Sequence, residues 1–478
     1  MNFVAPIFPV FLLIVLTVYW LIKARERRLD WLLAASLVFY GWWDWRFLGL
    51  IGFVTLLSWA SALWAGDRTR SPLTRKTAML VAVVGNLGLL GVFKYLDFFI
   101  ESGVQALTAM GFSADAGTLG IILPVGISFY IFQALSYVID VWRGDLPVES
   151  RLRRVGLYIA FFPQLVAGPI VRAASFFPQM DRDHRLTRAK VSAGLKAIFV
   201  GLVYKAALAD SIAPVVDAVY GNPGAEVHAM GQWANSALIA ATLAFAAQIY
   251  FDFAGYSLIA IGVAHLFGYY IPQNFNYPYL ATSIADFWRR WHMSLSFWLR
   301  DYLYIPLGGN RGGEARTYRN QMATMLLGGL WHGAAWTFVA WGALHGAALA
   351  LHRAFTHAVR LPAAEPLAFA ALGWALTQAF VLLTWVPFRA ADFDQATEVW
   401  AAFAGLRASG PDTLPWSVWL IPALLLLDGA LGKGWLRGLT RSPALSHPGV
   451  WWALAGACTA LILALYPLKP APFVYFQF

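Results

Sequence analysis

The sequence predicts an all-α, polytopic membrane protein, and three observations carry that prediction. Only 13% of the 478 residues are charged while 59% are hydrophobic, about half the charged share of a soluble domain. Apolar segments near the roughly 20 residues needed to cross a hydrocarbon core recur along almost the whole chain. Lys and Arg gather in short loops between them, the distribution of the positive-inside rule. A large soluble domain needs a water-compatible exterior, and lipid as outer solvent removes that need. The net charge of +10 therefore points to membrane topology, and nucleic acid is not an expected partner. A single integral membrane domain over residues 1–478 is expected, with membrane lipid around it.

The elements follow in order. Segments at 3–22, 31–45, 47–65, 77–100, 119–141, 193–216, 233–269, 320–351, 364–388, 415–432 and 449–467 give about 11 spans. The segment at 233–269 fits two elements or one long broken helix. The first span ends in Lys23-Ala24-Arg25-Glu26-Arg27-Arg28. Basic residues after the apolar run reverse the order of a signal peptide, so the span is expected to be retained. Basic loops at Lys23–Arg28, Arg68–Lys76 and Arg143–Arg154 follow the first, third and fifth spans, whereas the loop at 101–118 carries Glu101 and Asp115 without Lys or Arg. This places the basic loops in the cytoplasm and the N-terminus outside. The stretch 155–190, interrupted by Pro163, Gly168 and Pro169, breaks the alternation. It reads equally as a re-entrant segment or as a surface loop with interfacial helices. No Lys or Arg occurs from Ala206 to Trp288, so the loop Asp217–His228 faces outside, and basic residues resume at Arg289. The 23 Trp exceed what interfacial belts need and suggest aromatic-walled interior surfaces. Cys458, the single cysteine, excludes an internal disulfide and a cysteine metal site.

The densest polar cluster runs from Asp286 to Tyr302. On one continuous helix of about 25 Å, Arg289, His292, Ser296 and Arg300 would share a face opposite Trp288, Trp291, Leu295, Trp298, Leu299 and Tyr302. An interfacial helix with snorkelling arginines fits this pattern, and so does a cationic stripe for an anionic substrate. Beyond it, Gly308, Gly309, Gly312 and Gly313 surround Arg311. Such a turn can offer backbone N–H groups and a guanidinium to phosphate, or can simply connect two elements. His332, within Trp331-His332-Gly333, lies about 20 Å along a helix counted from Arg319, well inside a core of about 30 Å. An ionisable residue at that depth is a functional candidate, and a neutral His suits general-base work. The alternative is a His bonded to a neighbouring helix, with Gly328, Gly329 and Gly333 serving helix packing. His345 is expected at an interface, His265 in a structural position, and His184 and His228 in loops. No HExxH, GxSxG or P-loop spacing occurs, which removes metalloprotease, α/β-hydrolase and ATPase readings; no metal is expected.

The wording of several segments is specific. Asn274-Phe275 with Pro278-Tyr279, Asp286-Phe-Trp-Arg-Arg-Trp-His292-Met-Ser-Leu-Ser, Arg300-Asp301-Tyr-Leu-Tyr304, Gly308-Gly-Asn-Arg311-Gly-Gly and Gly328-Gly-Leu-Trp-His332-Gly together resemble the membrane-bound O-acyltransferase family. The likeness extends to Leu123–Tyr130, Phe162–Pro169, Tyr250–Phe253 and the terminal Tyr475-Phe-Gln-Phe. The order is most similar to the branch of alginate O-acetyltransferase membrane subunits, with teichoic acid D-alanyl transfer proteins as cousins. The resemblance implies a helical fold around a transmembrane tunnel, with His332 catalytic and His292 a second functional histidine. It implies acetyl-CoA as donor and no permanently bound cofactor. It also implies passage of the acetyl group across the bacterial inner membrane to a periplasmic SGNH-type partner that modifies an exported polysaccharide. In that frame Arg289, Arg300 and Arg311 are the expected holders of the CoA phosphates. The branch commonly reads Phe-Ser-Gly-Tyr-Ser-Asp where this chain has Phe253-Ala254-Gly255-Tyr256-Ser257-Leu258. An alginate-like polymer, cellulose and peptidoglycan all stay open as acceptors. An export channel without chemistry, or an acyltransferase acting on lipid or protein, are the other readings.

Overall fold

A computed structural model describes residues 1–113, 117–166, 168–221, 230–359, 367–435, 449–450, 453, 456–457, 459–460 and 473–476. The expected span at 449–467, Cys458, Asp115 and His228 lie outside the described residues wholly or in large part. Among the described residues every regular element is helical. Five helices among the described residues are long and apolar enough to cross a membrane: Trp45–Gly66, Pro72–Ala109, Arg188–Tyr220, Asn235–Leu266 and Leu367–Arg389. Phe8–Leu21 and Trp416–Gly432 are shorter apolar helices. The chain divides into two compact units, one of residues 1–199 with 257–272, the other of 200–256 with 273–478.

The first unit begins with α1 (Phe8–Leu21), α2 (Arg25–Gly41), α3 (Leu48–Gly66) and α4 (Pro72–Leu90). Ser71 caps α4 by accepting the Thr74 N–H at 3.1 Å, and Pro72 occupies the first turn, where a missing N–H costs nothing. A π-helical turn, Gly91–Tyr95, carries α4 on into α5 (Leu96–Ala109). The expected span at 119–141 is shorter than the apolar pattern suggests. Its helix, α6, is Ile127–Arg143, bounded by left-handed Gly126 (φ 75°) and Gly144 (φ 88°). A Cβ at Gly126 would lie 2.4 Å from the Leu165 carbonyl oxygen, so the helix starts where only glycine fits.

The interrupted stretch after Arg151 forms α7 (Leu152–Ala160) and, past Pro169, α8 (Ala173–Met180). Side chains from Val155 to Leu165 are buried, so the surface-loop reading of this stretch does not hold. Its irregular backbone is met by side chains: Ser36 Oγ accepts the Phe162 N–H at 3.1 Å, and Gln164 donates to the Tyr158 carbonyl at 2.6 Å. Internal partners of this kind are what irregular backbone away from water requires.

The second unit takes in the far part of the Arg188–Tyr220 helix. That helix is built from α9 (Arg188–Leu202), a π-helical stretch Val203–Ala209 and α10 (Asp210–Tyr220). α11 (Asn235–Leu266) is one unbroken 32-residue helix, which settles 233–269 as a single element. Then come α12 (Ile284–Trp288), α13 (Met293–Leu299), α14 (Glu314–His332), α15 (Trp336–Ala358), α16 (Leu367–Arg389), α17 (Phe393–Ala404) and α18 (Ile421–Gly432). The expected span at 320–351 is in fact the hairpin α14–α15, broken at Gly333–Ala335. Glycine lets its two helices meet backbone to backbone. A Cβ at Gly329 would fall 2.3 Å from the Phe338 carbonyl oxygen, and one at Gly342 2.3 Å from that of Met325. Close approach through small residues is the usual way helices associate where no hydrophobic drive separates them from lipid.

Candidate active site

The segment expected as one amphipathic helix is divided. α12 stops at Trp288, His292 takes a left-handed backbone (φ 40°, ψ 54°), and α13 restarts at Met293. A π-helical turn, Arg300–Tyr304, follows. Arg289, His292, Ser296 and Arg300 therefore do not share one helical face. The cause is tertiary: Asn274, in the preceding extended strand of chain, accepts the Met293 N–H on its carbonyl at 2.9 Å, and Asn276 donates its N–H to the Arg290 carbonyl at 2.9 Å. These bonds compete with helix continuation at the turn. Only Tyr277 and His292 among the described non-glycine residues have positive φ, and such outliers tend to mark functional positions.

His292 is fully buried, and its protonation pattern can be read from its neighbours. Asn274 Oδ1 accepts from the Ser294 N–H at 3.2 Å and from Ser294 Oγ at 2.9 Å. The same oxygen lies 3.2 Å from His292 Nδ1. A carbonyl oxygen cannot donate, so Nδ1 carries the proton and Nε2 of the neutral ring presents its lone pair.

His332 ends α14 and is 3% exposed. Its ring centroid lies 5.1 Å from Trp341, 5.3 Å from Phe388, 5.5 Å from Tyr475 and 6.5 Å from His292. Gly333 makes that packing possible, because a Cβ there would sit 2.1 Å from Phe338 Cε2. Tyr475 also reaches His292, at 6.4 Å, so a phenol stands against both imidazoles. The fold thus joins two histidines 40 residues apart in sequence with a tyrosine 143 further on. Spacing alone offers no way to predict either Asn274 or Tyr475 in this site.

His345 is not interfacial; it is buried one helical layer behind His332. Trp288 Nε1 donates to its Nδ1 at 3.2 Å, which leaves its Nε2–H to donate to Thr384 Oγ1 at 3.0 Å. Trp341 lies between the two histidines, 4.5 Å from the His345 ring. With both nitrogens engaged, His345 fixes the aromatic wall of the site. Trp291, Trp341 and Trp385 are among the largest fully buried side chains, in line with the aromatic interior expected from composition.

A cleft of about 410 Å³ opens beside this wall, lined by Trp288, Ser296, Arg300, Thr324, His352 and Arg353 among others. Met325 of α14 also lines it, seven residues before His332, or about 10 Å by helix rise. Trp288 touches Trp341 at 5.7 Å, so two tryptophans, Trp288 and Trp341, stand between the cleft and His332. The rim charges are paired: Arg300 with Asp301 at 2.6 Å and Arg353 with Glu314 at 3.0 Å. Arg289 instead lines a larger, mostly apolar groove of about 900 Å³ that shares His352 with the first cleft. Arg311 is exposed on its turn, outside both. All four glycines of that turn have positive φ, as a close-approach turn requires. No group of three His, Cys, Asp or Glu suited to a metal occurs among the described residues.

His292 and His332 are thus two buried imidazoles within one aromatic cluster, near a cleft lined by Arg300 and Arg353. Residues 154–386 match the profile of the membrane-bound O-acyltransferase family. The chain is 43% identical over 408 residues to a probable alginate O-acetylase, AlgI, of Azotobacter vinelandii, covering 84% of this chain and 77% of that one. The protein of the same name from Pseudomonas putida is 37% identical over 504 residues, covering 98% of each. A peptidoglycan O-acetyltransferase of Helicobacter pylori is 35% identical over 408 residues, covering 79% of this chain and 74% of that one. The chain belongs to the membrane-bound O-acyltransferase family. It is a multi-pass membrane protein and an O-acyltransferase.

Proposed function

We propose that the protein takes an acetyl group from cytoplasmic acetyl-CoA and passes it across the bacterial inner membrane for O-acetylation of an exported polysaccharide. The observation that carries this reading is the buried His292–His332 pair, with Trp288 and Trp341 between it and a cleft lined by Arg300 and Arg353. The relatives named for alginate and for peptidoglycan support an envelope or exported glycan as acceptor. A periplasmic SGNH-type partner receives the acetyl group in this scheme. The basic loops face the cytoplasm and the N-terminus the periplasm, in keeping with the charge distribution.

The chemistry assigns roles. A hydroxyl oxygen attacks the thioester carbonyl carbon; the new C–O bond forms as the C–S bond breaks. The hydroxyl proton passes to His332 as general base and from there to the departing thiolate. His292, with Nδ1–H held by Asn274, offers the Nε2 lone pair to accept from and orient the attacking hydroxyl or to share that proton. Arg300, Arg289 and Arg311 supply charge for the CoA phosphates, Arg300 from within the cleft.

Labelled acetyl-CoA turnover by the purified protein in lipid, with and without its partner, tests the reading. Thioester loss that depends on His332 is expected. Turnover unchanged in His332→Ala, at equal protein in the membrane, overturns the catalytic assignment. Polymer movement without thioester loss would instead mark an export channel.

A further inference from the structure

The second unit buries three charges that the acyl-transfer scheme does not use. Lys205 sits in the π-helical stretch Val203–Ala209, its Nζ 2.7 Å from Asp210 Oδ1 and 2.8 Å from Asp252 Oδ1. All three side chains are about 1% exposed. Taking such ions from water costs several kcal/mol each, and apolar replacements are often at least as stable. Stability alone is therefore a weak reason for the cluster. The remaining oxygen of Asp252 gives a better one, because Oδ2 accepts the backbone N–H of Val474 at 2.7 Å.

Val474 opens a single 3₁₀ turn, Val474–Phe476, and the same stretch of α11 that holds its N–H also holds its neighbours. Phe473 packs on Tyr256 at 4.5 Å, and Tyr475 packs on Phe253 at 4.5 Å. Phe253 in turn meets the His292 ring edge-on at 4.6 Å. Residues 252, 253 and 256 thus form a seat to which the Asp252 acceptor adds a directional bond. Lys205 and Asp210 hold that carboxylate in place: the ammonium fixes Oδ1, which leaves Oδ2 aimed at the chain.

We propose that Lys205, Asp210 and Asp252 form a positioning device. Through the Val474 N–H, they latch the C-terminal turn so that Tyr475 closes the wall around His292 and His332. The inference rests on the acyltransfer reading for its effect on rate, but the latch itself is a statement about backbone order. It is tested first by hydrogen–deuterium exchange of peptides covering Phe473–Phe476 in the lipid-embedded full chain. Asp252→Leu removes the acceptor. Val474→Pro removes the donor and leaves all three charges, and proline suits the first position of a helical turn. Both are expected to speed exchange in this segment and to lower kcat by about tenfold or more, with the donor KM within about twofold. Val474→Ala keeps the N–H and is expected to stay near the parent in exchange and turnover; Asp252→Asn keeps only one of the two oxygens and should fall between the parent and Asp252→Leu.

Parent-like exchange in Val474→Pro overturns the latch, and so does faster exchange with unchanged kcat. Val474→Ala as damaging as Val474→Pro also overturns it, by making the side chain and not the N–H the operative feature. If Asp252→Leu does not accumulate in the membrane, Val474→Pro decides. His332→Ala separates the two levels: it should abolish turnover while, with the Asp252–Val474 bond intact, changing exchange at 473–476 less than Val474→Pro does. Turnover retained there would fail the acyltransfer reading, and the exchange results would still judge the latch.

Discussion

Replacing Asn274 by Ala is the sharpest probe of the site, because a single side-chain oxygen there serves three donors. His292 Nδ1, the Ser294 N–H and Ser294 Oγ all converge on Asn274 Oδ1 within 3.2 Å, in a region with almost no exposed surface. A buried donor left without an acceptor costs about 1–3 kcal/mol. Ser294 Oγ can rotate to another partner, so a total of roughly 2–5 kcal/mol is expected as lost stability. The kinetic effect comes from the ring: the carbonyl that accepts Nδ1–H, and so favours that tautomer and orientation, is removed. A fall in kcat of about a hundredfold, equal to about 2.7 kcal/mol of barrier, is expected. Asn274 does not line the cleft, so the donor KM should change by less than about twofold. The assay is steady-state acetyl-CoA turnover at equal membrane protein, with thermal unfolding alongside. Ser294→Ala is the control, since it deletes one donor and spares the His292 bond; its kcat should stay within about threefold. Parent kcat in Asn274→Ala would refute the tautomer argument. Equal damage from Ser294→Ala would relocate the effect to packing of the turn.

Gly333→Ala should lower both stability and turnover, because its Cβ would press to 2.1 Å from Phe338 Cε2; Phe338→Ala in the same chain should restore part of the activity, measured by turnover and unfolding midpoint. Tyr475→Phe keeps the ring contacts and should leave stability unchanged, whereas Tyr475→Ala opens a gap costing about 2 kcal/mol, read by thermal unfolding. Arg300→Ala should raise the donor KM by about three- to tenfold with kcat unchanged. Arg311→Ala, on its exposed turn outside the cleft, should change KM by less than about twofold.

What the sequence discloses here is whatever depends on neighbours along the chain. Apolar runs reveal the helical membrane class, and Arg319 and His332 do lie on one helix, as the count between them assumes. The glycines around Arg311 and His332 also announce close approaches that the structure contains. What depends on distant neighbours stays hidden. The periodicity from Asp286 to Tyr302 fits one helix, yet Asn274 and Asn276 hydrogen-bond across the turn and break it at His292. His345 resembles an interfacial residue by position, but Trp288 and Thr384 give both its nitrogens partners in the interior. The hairpin α14–α15 passes for a single long span because its break, Gly333–Ala335, contains only small apolar residues. Lys205 shows no pattern at all: its carboxylate partner Asp252 lies 47 residues away on another helix.

The left-handed backbone at His292 bears on what a substitution there would measure. An L-residue in that conformation carries a penalty of about 1–2 kcal/mol, least for Asn and Asp and absent for Gly. Removing the imidazole as Ala therefore alters two things at once, the ring and the ease with which residues 289–293 hold their bend. Valine or isoleucine would make the second effect dominant, since branched side chains are true outliers at positive φ. Asparagine is the replacement that discards the imidazole while keeping the bend inexpensive. The variants His292→Asn and His292→Ala should thus differ in stability even where both are inactive, and their difference reads the conformational share of His292 directly.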